Sequence, residues 1–233
     1  MNFDSFVLVA ATADLADEPA AREHADAVEF RMDLADAPLE ALENYDGDLP
    51  LLVTNRPKWE GGEADGGGGP GEPANRERLR RLATAAEHPM VEAVDVELAS
   101  GREADGAHTI EAVREEGVEV VVSVHNFEGT PDREDMGALL QAAAALGDVG
   151  KLAVTAEHRG NALDLLSITH ALDREGWPVA TMAMGEPGRH TRALAPLYGS
   201  RIGYAPVDPA EATAPGQYDL ATLRRLIDEL DGN

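Results

Sequence analysis

The chain contains no cysteine, which excludes disulfide frameworks, thiol nucleophiles and Cys-ligated metals. Aromatic residues are scarce, at 4% of 233 residues. The interior must therefore be filled by the Val, Leu, Ala and Ile that dominate its 43% hydrophobic fraction, a mixture suited to parallel strands covered by Ala-rich helices. Positive charge is short as well: 19 basic residues face 44 acidic ones, a formal charge of -25. Such a surface repels nucleic acid phosphates and anionic lipid, so neither nucleic acid nor membrane is an expected partner. No stretch approaches the roughly 18 apolar residues of a membrane span. No basic region precedes the short apolar run near the N-terminus, and a soluble cytoplasmic protein is expected. No Gly-x-Gly-x-x-Gly follows a first strand, so no nucleotide cofactor is expected.

Lysine is the rarest base. Only Lys58 and Lys151 are present, the other 17 of the 19 being Arg. This imbalance looks like the acidic, Lys-poor surfaces of salt-loving organisms, where concentrated salt screens self-repulsion with a Debye length of about 3 Å at 1 M. The melting temperature is accordingly expected to rise between dilute and molar salt; a flat or falling curve would remove the halophilic reading.

Short apolar runs rich in Val and Leu alternate with longer Ala- and Leu-patterned segments, the signature of repeated βα units. Eight such runs lie at 6–11, 27–32, 50–54, 91–98, 118–125, 150–154, 178–184 and 200–205. Eight repeats in a chain close to the roughly 250 residues of a (β/α)8 barrel predict an α/β fold of that class, a TIM barrel of parallel strands. Residues 1–233 read as one catalytic domain. Helical stripes are expected at Leu79, Leu82, Ala83 and Ala86 and at Leu220, Leu223, Ile227 and Leu230. A Gly-rich segment from Glu60 to Asn75 reads as a flexible loop. It is either a surface insertion or a mobile flap, since it leaves the strand end where barrel active sites form.

Strand alternation assigns faces. If Val28, Phe30 and Met32 face the helices, then Glu29, Arg31 and Asp33 face the barrel axis. By the same rule Asp95 and Glu97 of the fourth strand, Ser123 and His125 of the fifth, and Lys151 and Ala153 of the sixth point inward. Buried charges of this number must pair with one another, with water or with a ligand. A structural network is the plain reading for Asp95 and Glu97, and a core histidine or a structural lysine remains open for His125 and Lys151 taken singly. Their concentration at strand ends favours a functional site for the set. An inward amine among Arg cations is biased toward its free form, the one that attacks carbonyls. Lys58, beyond the third strand, reads as a solvent-facing loop residue.

Several local segments resemble the type I 3-dehydroquinate dehydratases. Glu29-Phe-Arg31 with Asp33 is similar to the family's Glu-x-Arg-x-Asp, and Arg56 through Glu60-Gly-Gly62 to its Arg-x-x-x-Glu-Gly-Gly. Asp95-Val-Glu97-Leu resembles the fourth-strand segment, Ser123-Val-His125-Asn-Phe127 the segment carrying the family histidine, and Lys151 falls at the imine-forming position. Met182-Ala-Met184-Gly185 followed by Arg192, and Ala214-Pro-Gly-Gln217, resemble the seventh-strand segment and the lid. Seven matches in the family's order cover nearly the whole chain. Three positions depart from the pattern: Val124 replaces a common polar residue, Thr213 a common Ser, and the loop after Gly62 is longer and more acidic.

The resemblance implies dehydration of 3-dehydroquinate to 3-dehydroshikimate, the carbon-oxygen lyase step of the shikimate pathway. Lys151 would form the imine, His125 would act as base and then acid, and Glu60 would orient His125 and favour its protonated form. Arg192, with Gln217 and Thr213, would bind the substrate carboxylate. Glu29, Arg31 and Arg56 would hold ring hydroxyls, while Met182, Met184 and Phe127 would cover the ring. The family implies no metal and a homodimer. Two other readings stay open: a class I aldolase-like lyase, which explains Lys151 but not Arg192 and Gln217, and a noncatalytic acidic binding protein.

Overall fold

The computed structural model describes residues 1–208, 210 and 216–232. Eight strands follow the chain: β1 (Val7–Thr12), β2 (Ala27–Arg31), β3 (Leu51–Thr54), β4 (Val91–Glu97), β5 (Glu119–Asn126), β6 (Val149–Thr155), β7 (Val179–Met184) and β8 (Ile202–Pro206). All pair in parallel in the order β7-β6-β5-β4-β3-β2-β1-β8. The final seam is thin. Val179 bridges Ser200, Arg201 donates its N–H to the Val179 carbonyl at 2.8 Å, and the Ser200 hydroxyl accepts the Thr181 N–H at 3.0 Å. A side chain thus stands in for a missing strand acceptor, and the barrel is nearly closed.

Every expected apolar run is a strand, displaced by two residues at most. Among the described residues the outer layer contains α1 (Glu18–Ala21), α2 (Pro38–Glu43), α3 (Pro73–Ala86), α4 (Leu98–Gly101), α5 (Ala104–Glu115), α6 (Arg133–Ala144), α7 (Arg159–Arg174), α8 (Thr191–Leu194) and α9 (Leu220–Asp231). The longer helices cover the outward strand residues: Val28, Phe30, Val94, Val96 and Val122 share one core with Leu79, Leu82, Ile110 and Leu223. Asp132 and Asp219 cap α6 and α9 by accepting the N–H groups of Asp135 and Thr222, each at 2.9 Å. The α3 stripe holds at Leu79, Leu82 and Ala86, with Ala85 buried in place of Ala83. In α9 the expected stripe ends early, because Leu230 lies on the last turn and is 45% exposed. After β1 and β7 the sequence gives only one-turn segments, where no long apolar stripe was legible.

The inward residues change character along each strand. β2 runs Ala27, Glu29, Arg31; β4 runs Ala93, Asp95, Glu97; β5 runs Val121, Ser123, His125; β6 runs Val149 then Lys151. The first residue of each series joins an apolar plug with Val7, Val9, Leu52 and Ile202. The next lies two residues, roughly 6–7 Å, closer to the C-terminal mouth. Polar chemistry is thereby raised onto a dry floor.

Candidate active site

Lys151 is the centre of the inner layer. Its Nζ donates to Asp95 Oδ2 at 3.1 Å and lies 4.2 Å from the centre of the Tyr204 ring. Arg56 claims the same Asp95 oxygen at 2.9 Å and donates to Ser123 Oγ at 2.7 Å, while Ser123 donates to Asp95 Oδ1 at 2.6 Å. Burial alone would raise the Asp95 carboxyl, but Arg56 and then Lys151 more than offset it and hold it well below the usual range. Arg56 thus lies close to Lys151, as expected, but a carboxylate shared by both cations stands between them.

Behind this layer the charges continue outward. Arg56 reaches Glu97 Oε1 at 3.4 Å, and Arg78 of α3 grips Glu97 Oε2 at 2.6 Å while donating to the Asn55 carbonyl at 2.5 Å. Asp95 and Glu97 thus belong to a buried, paired network, in agreement with their structural reading. Arg78 was missed, since its helix stripe reads as apolar and nothing in the sequence aims an Arg inward.

His125 is the penultimate residue of β5, and its Nδ1 is 2.9 Å from Glu60 Oε2, the oxygen that also accepts the His125 main-chain N–H at 3.2 Å. Burial, then the Arg56 and Lys151 cations, push the imidazole well below its ordinary value. Burial likewise raises Glu60, to about 8, with Glu97 and Asp95 adding and Arg56 opposing. Burial thus works against charge on both partners, lowering the imidazole and raising the carboxyl. Burial is the largest influence on His125 and opposes the protonated form that Glu60 is expected to favour.

Glu60 is delivered by a one-turn 3-10 helix, Lys58–Glu60, closed by two glycines. Gly61 has φ +78, and a Cβ there would meet the Phe127 ring; a Cβ on Gly62 would meet the Arg56 carbonyl. The Glu-Gly-Gly sequence is the steric condition for seating Glu60 under His125. This first part of the Gly-rich segment is tied down: Ala64 donates to the Arg56 carbonyl at 3.0 Å and Glu63 to Asp33 Oδ2 at 3.1 Å. A Cβ built at Gly68, Gly69 or Gly71 would meet nothing within 4 Å. Lys58 is exposed, as expected.

Around the cavity mouth Arg31 is clamped by Asp33 at 2.9 and 2.7 Å, and Glu29 accepts from Thr54 at 2.7 Å. Met182 and Met184 are buried in the wall, and Phe127 stacks over His125 at 6.1 Å while remaining 47% exposed. Arg192 is held by α8, which Thr191 staples to β7 by accepting the Ala183 N–H at 2.9 Å and donating to Gly188 O at 2.8 Å. Arg192 is 4% exposed, yet its Nε and Nη2 have no partner among the described residues. Burial lowers it to about 10. An unpaired buried guanidinium is a docking point for an anion. Glu29, Arg31, Arg56, Glu60, His125, Phe127, Lys151, Met182, Met184, Arg192 and Gln217 all line one cavity. Thr213 lies outside the described residues. Tyr204, also on this wall, was missed because alternation was not followed into the eighth strand, where Ile202 and Tyr204 face inward.

A family profile described as type I 3-dehydroquinase matches residues 6–233. The chain belongs to the type I 3-dehydroquinase family. Among its relatives in this family, 3-dehydroquinate dehydratase of Haloarcula marismortui is 57% identical, with 100% of both chains covered. The enzyme of the same name from Halobacterium salinarum is 53% identical over 99% of this chain and 100% of its own. These relatives come from halophilic archaea. The crystal structure of 3-dehydroquinate dehydratase from Geobacillus kaustophilus is 29% identical, superposes with a TM-score of 0.82 and covers 98% of this chain and 92% of that one. Among the described residues no helix is long and apolar enough to cross a membrane.

Proposed function

We propose that this enzyme removes water from 3-dehydroquinate to form 3-dehydroshikimate, serving the shikimate pathway toward aromatic amino acids, by way of an imine on Lys151. The observation that carries this reading is the convergence on one cavity of an amine, an imidazole whose basic form burial favours and an unpaired guanidinium. Each answers a different need of the substrate. Arg192 pairs with the carboxylate through a two-pronged contact, assisted by Gln217 and Thr213, and presents the ring to the barrel. Glu29, Arg31 and Arg56 bind hydroxyls, and Met182, Met184 and Phe127 cover the ring and exclude water from the imine.

Lys151 Nζ must leave the Asp95 pair as a free amine to attack the ring ketone. Asp95 remains paired to Arg56 and Ser123 as that happens, so no buried carboxylate is stranded. Loss of water from the adduct gives an iminium, an electron sink for the next step. His125 removes the proton on the adjacent carbon and the electrons settle as an enamine. Their return expels the β-hydroxyl, which takes the proton back from His125 and leaves as water. Hydrolysis of the conjugated imine consumes one water and restores the Lys151 amine, so the net change is loss of a single water.

An aldolase-like route shares the imine but leaves Arg192 and Gln217 without a role. The test is direct. Incubation with 3-dehydroquinate should generate the ultraviolet absorbance of a conjugated enoate. Borohydride added with substrate should leave one covalent adduct on the peptide carrying Lys151, read by mass spectrometry. Absence of both would reject the reading, and absorbance without an adduct would reject the imine.

A further inference from the structure

Tyr204 is 5% exposed, yet its hydroxyl has no hydrogen-bond partner among the described residues. Leaving a buried hydroxyl unpaired is costly, and such atoms persist where something else meets them. Its surroundings say what that could be. The ring lies under Lys151 Nζ at 4.2 Å, and the side chain lines the cavity together with Glu29. Burial, then the nearby carboxylates of Glu29 and Asp95, push the phenol well above its usual value, so it is a donor at any working pH. Glu29 is its complement: Thr54 occupies Oε1, leaving Oε2 to accept. A donor and an acceptor on residues that line one cavity are matched by a single group that both accepts and donates, which is an alcohol. The amine beside them attacks a ketone, so the alcohol they receive lies close to that carbonyl on the same ring.

We propose that Tyr204 is a substrate-binding residue: its phenol donates to the ring hydroxyl next to the ketone that Lys151 attacks, and that hydroxyl in turn donates to Glu29. The assignment rests on the reading of this cavity as a 3-dehydroquinate site. It adds a ligand that no motif match supplied, and it explains why the barrel tolerates a polar atom that it does not itself satisfy.

Tyr204→Phe removes only the oxygen. The KM for 3-dehydroquinate should rise about 10-fold with kcat within roughly threefold, since a contact made equally in ground and transition states acts on binding. The melting temperature of the ligand-free variant should equal or exceed that of the parent, because an unsatisfied buried hydroxyl is gone. That combination separates substrate binding from packing. If KM does not change, the phenol has no role toward substrate and the assignment is overturned. If the variant melts lower, the hydroxyl is a structural group and the assignment is likewise overturned. Parent enzyme measured alongside distinguishes the two levels of failure: a parent inert toward 3-dehydroquinate rejects the site reading itself, whereas an active parent with an indifferent variant rejects only Tyr204.

Discussion

Lys151→Arg is expected to abolish the borohydride adduct and to reduce turnover on the scale of the roughly 10⁶-fold loss that follows removal of a covalent nucleophile. The substitution keeps a cation of similar reach beside Asp95, so the shared carboxylate retains both of its positive partners. Stability should therefore change little, and loss of activity cannot be assigned to unfolding. A guanidinium cannot become an imine. Lys151→Met provides the contrast, for it leaves Asp95 with Arg56 and Ser123 alone and should cost about 1–3 kcal/mol in stability as well as all activity. An adduct that forms as readily in Lys151→Arg would move the nucleophile elsewhere; Lys58, the other lysine, is exposed on the rim of the third strand's loop.

The barrel and the amine were legible in the sequence for a shared physical reason. Parallel strands covered on one face carry a period of two, so the inward placement of Glu29, Ser123, His125 and Lys151 follows from the outward Val, Phe and Leu beside them. What alternation cannot supply is the partner of each inward group. The Arg near Lys151 was expected, but Asp95, on a strand two places away and bridging Lys151 to Arg56, was not. Arg78 reaches Glu97 from a helix, and helix patterns report which face is apolar without revealing where one long polar side chain inserts. Tyr204 was readable by the same alternation, but a Tyr in an apolar run looks like core until its hydroxyl is found unpaired. Glu60 came from motif resemblance alone, and the steric demands at Gly61 and Gly62 are its physical explanation.

For His125→Ala the expected loss in turnover is about 10²- to 10⁴-fold, the range of a positioned acid-base group, while the borohydride adduct on Lys151 persists because imine formation precedes proton abstraction. Near-normal turnover would discard the acid-base role. The pH dependence adds a second constraint. His125 is lowered well below its ordinary value, so its basic form is present across the neutral range and the acid limb lies beneath that of an exposed imidazole. Glu60, raised to about 8, is neutral below that pH and negative above it. Its Oε2 accepts the His125 main-chain N–H in either state, which leaves the Nδ1 hydrogen directed at the same oxygen and Nε2 free to work as base. Ionising Glu60 then sets a negative charge against the imidazole and stabilises the imidazolium formed as the proton is taken. The sign is fixed: kcat should rise as pH increases through about 8 when proton abstraction limits the rate. Glu60→Gln keeps an acceptor for Nδ1 but has no proton to lose, so its profile should be flat across that interval. A rise that survives in Glu60→Gln would transfer the titration to another group and leave Glu60 an orienting role only.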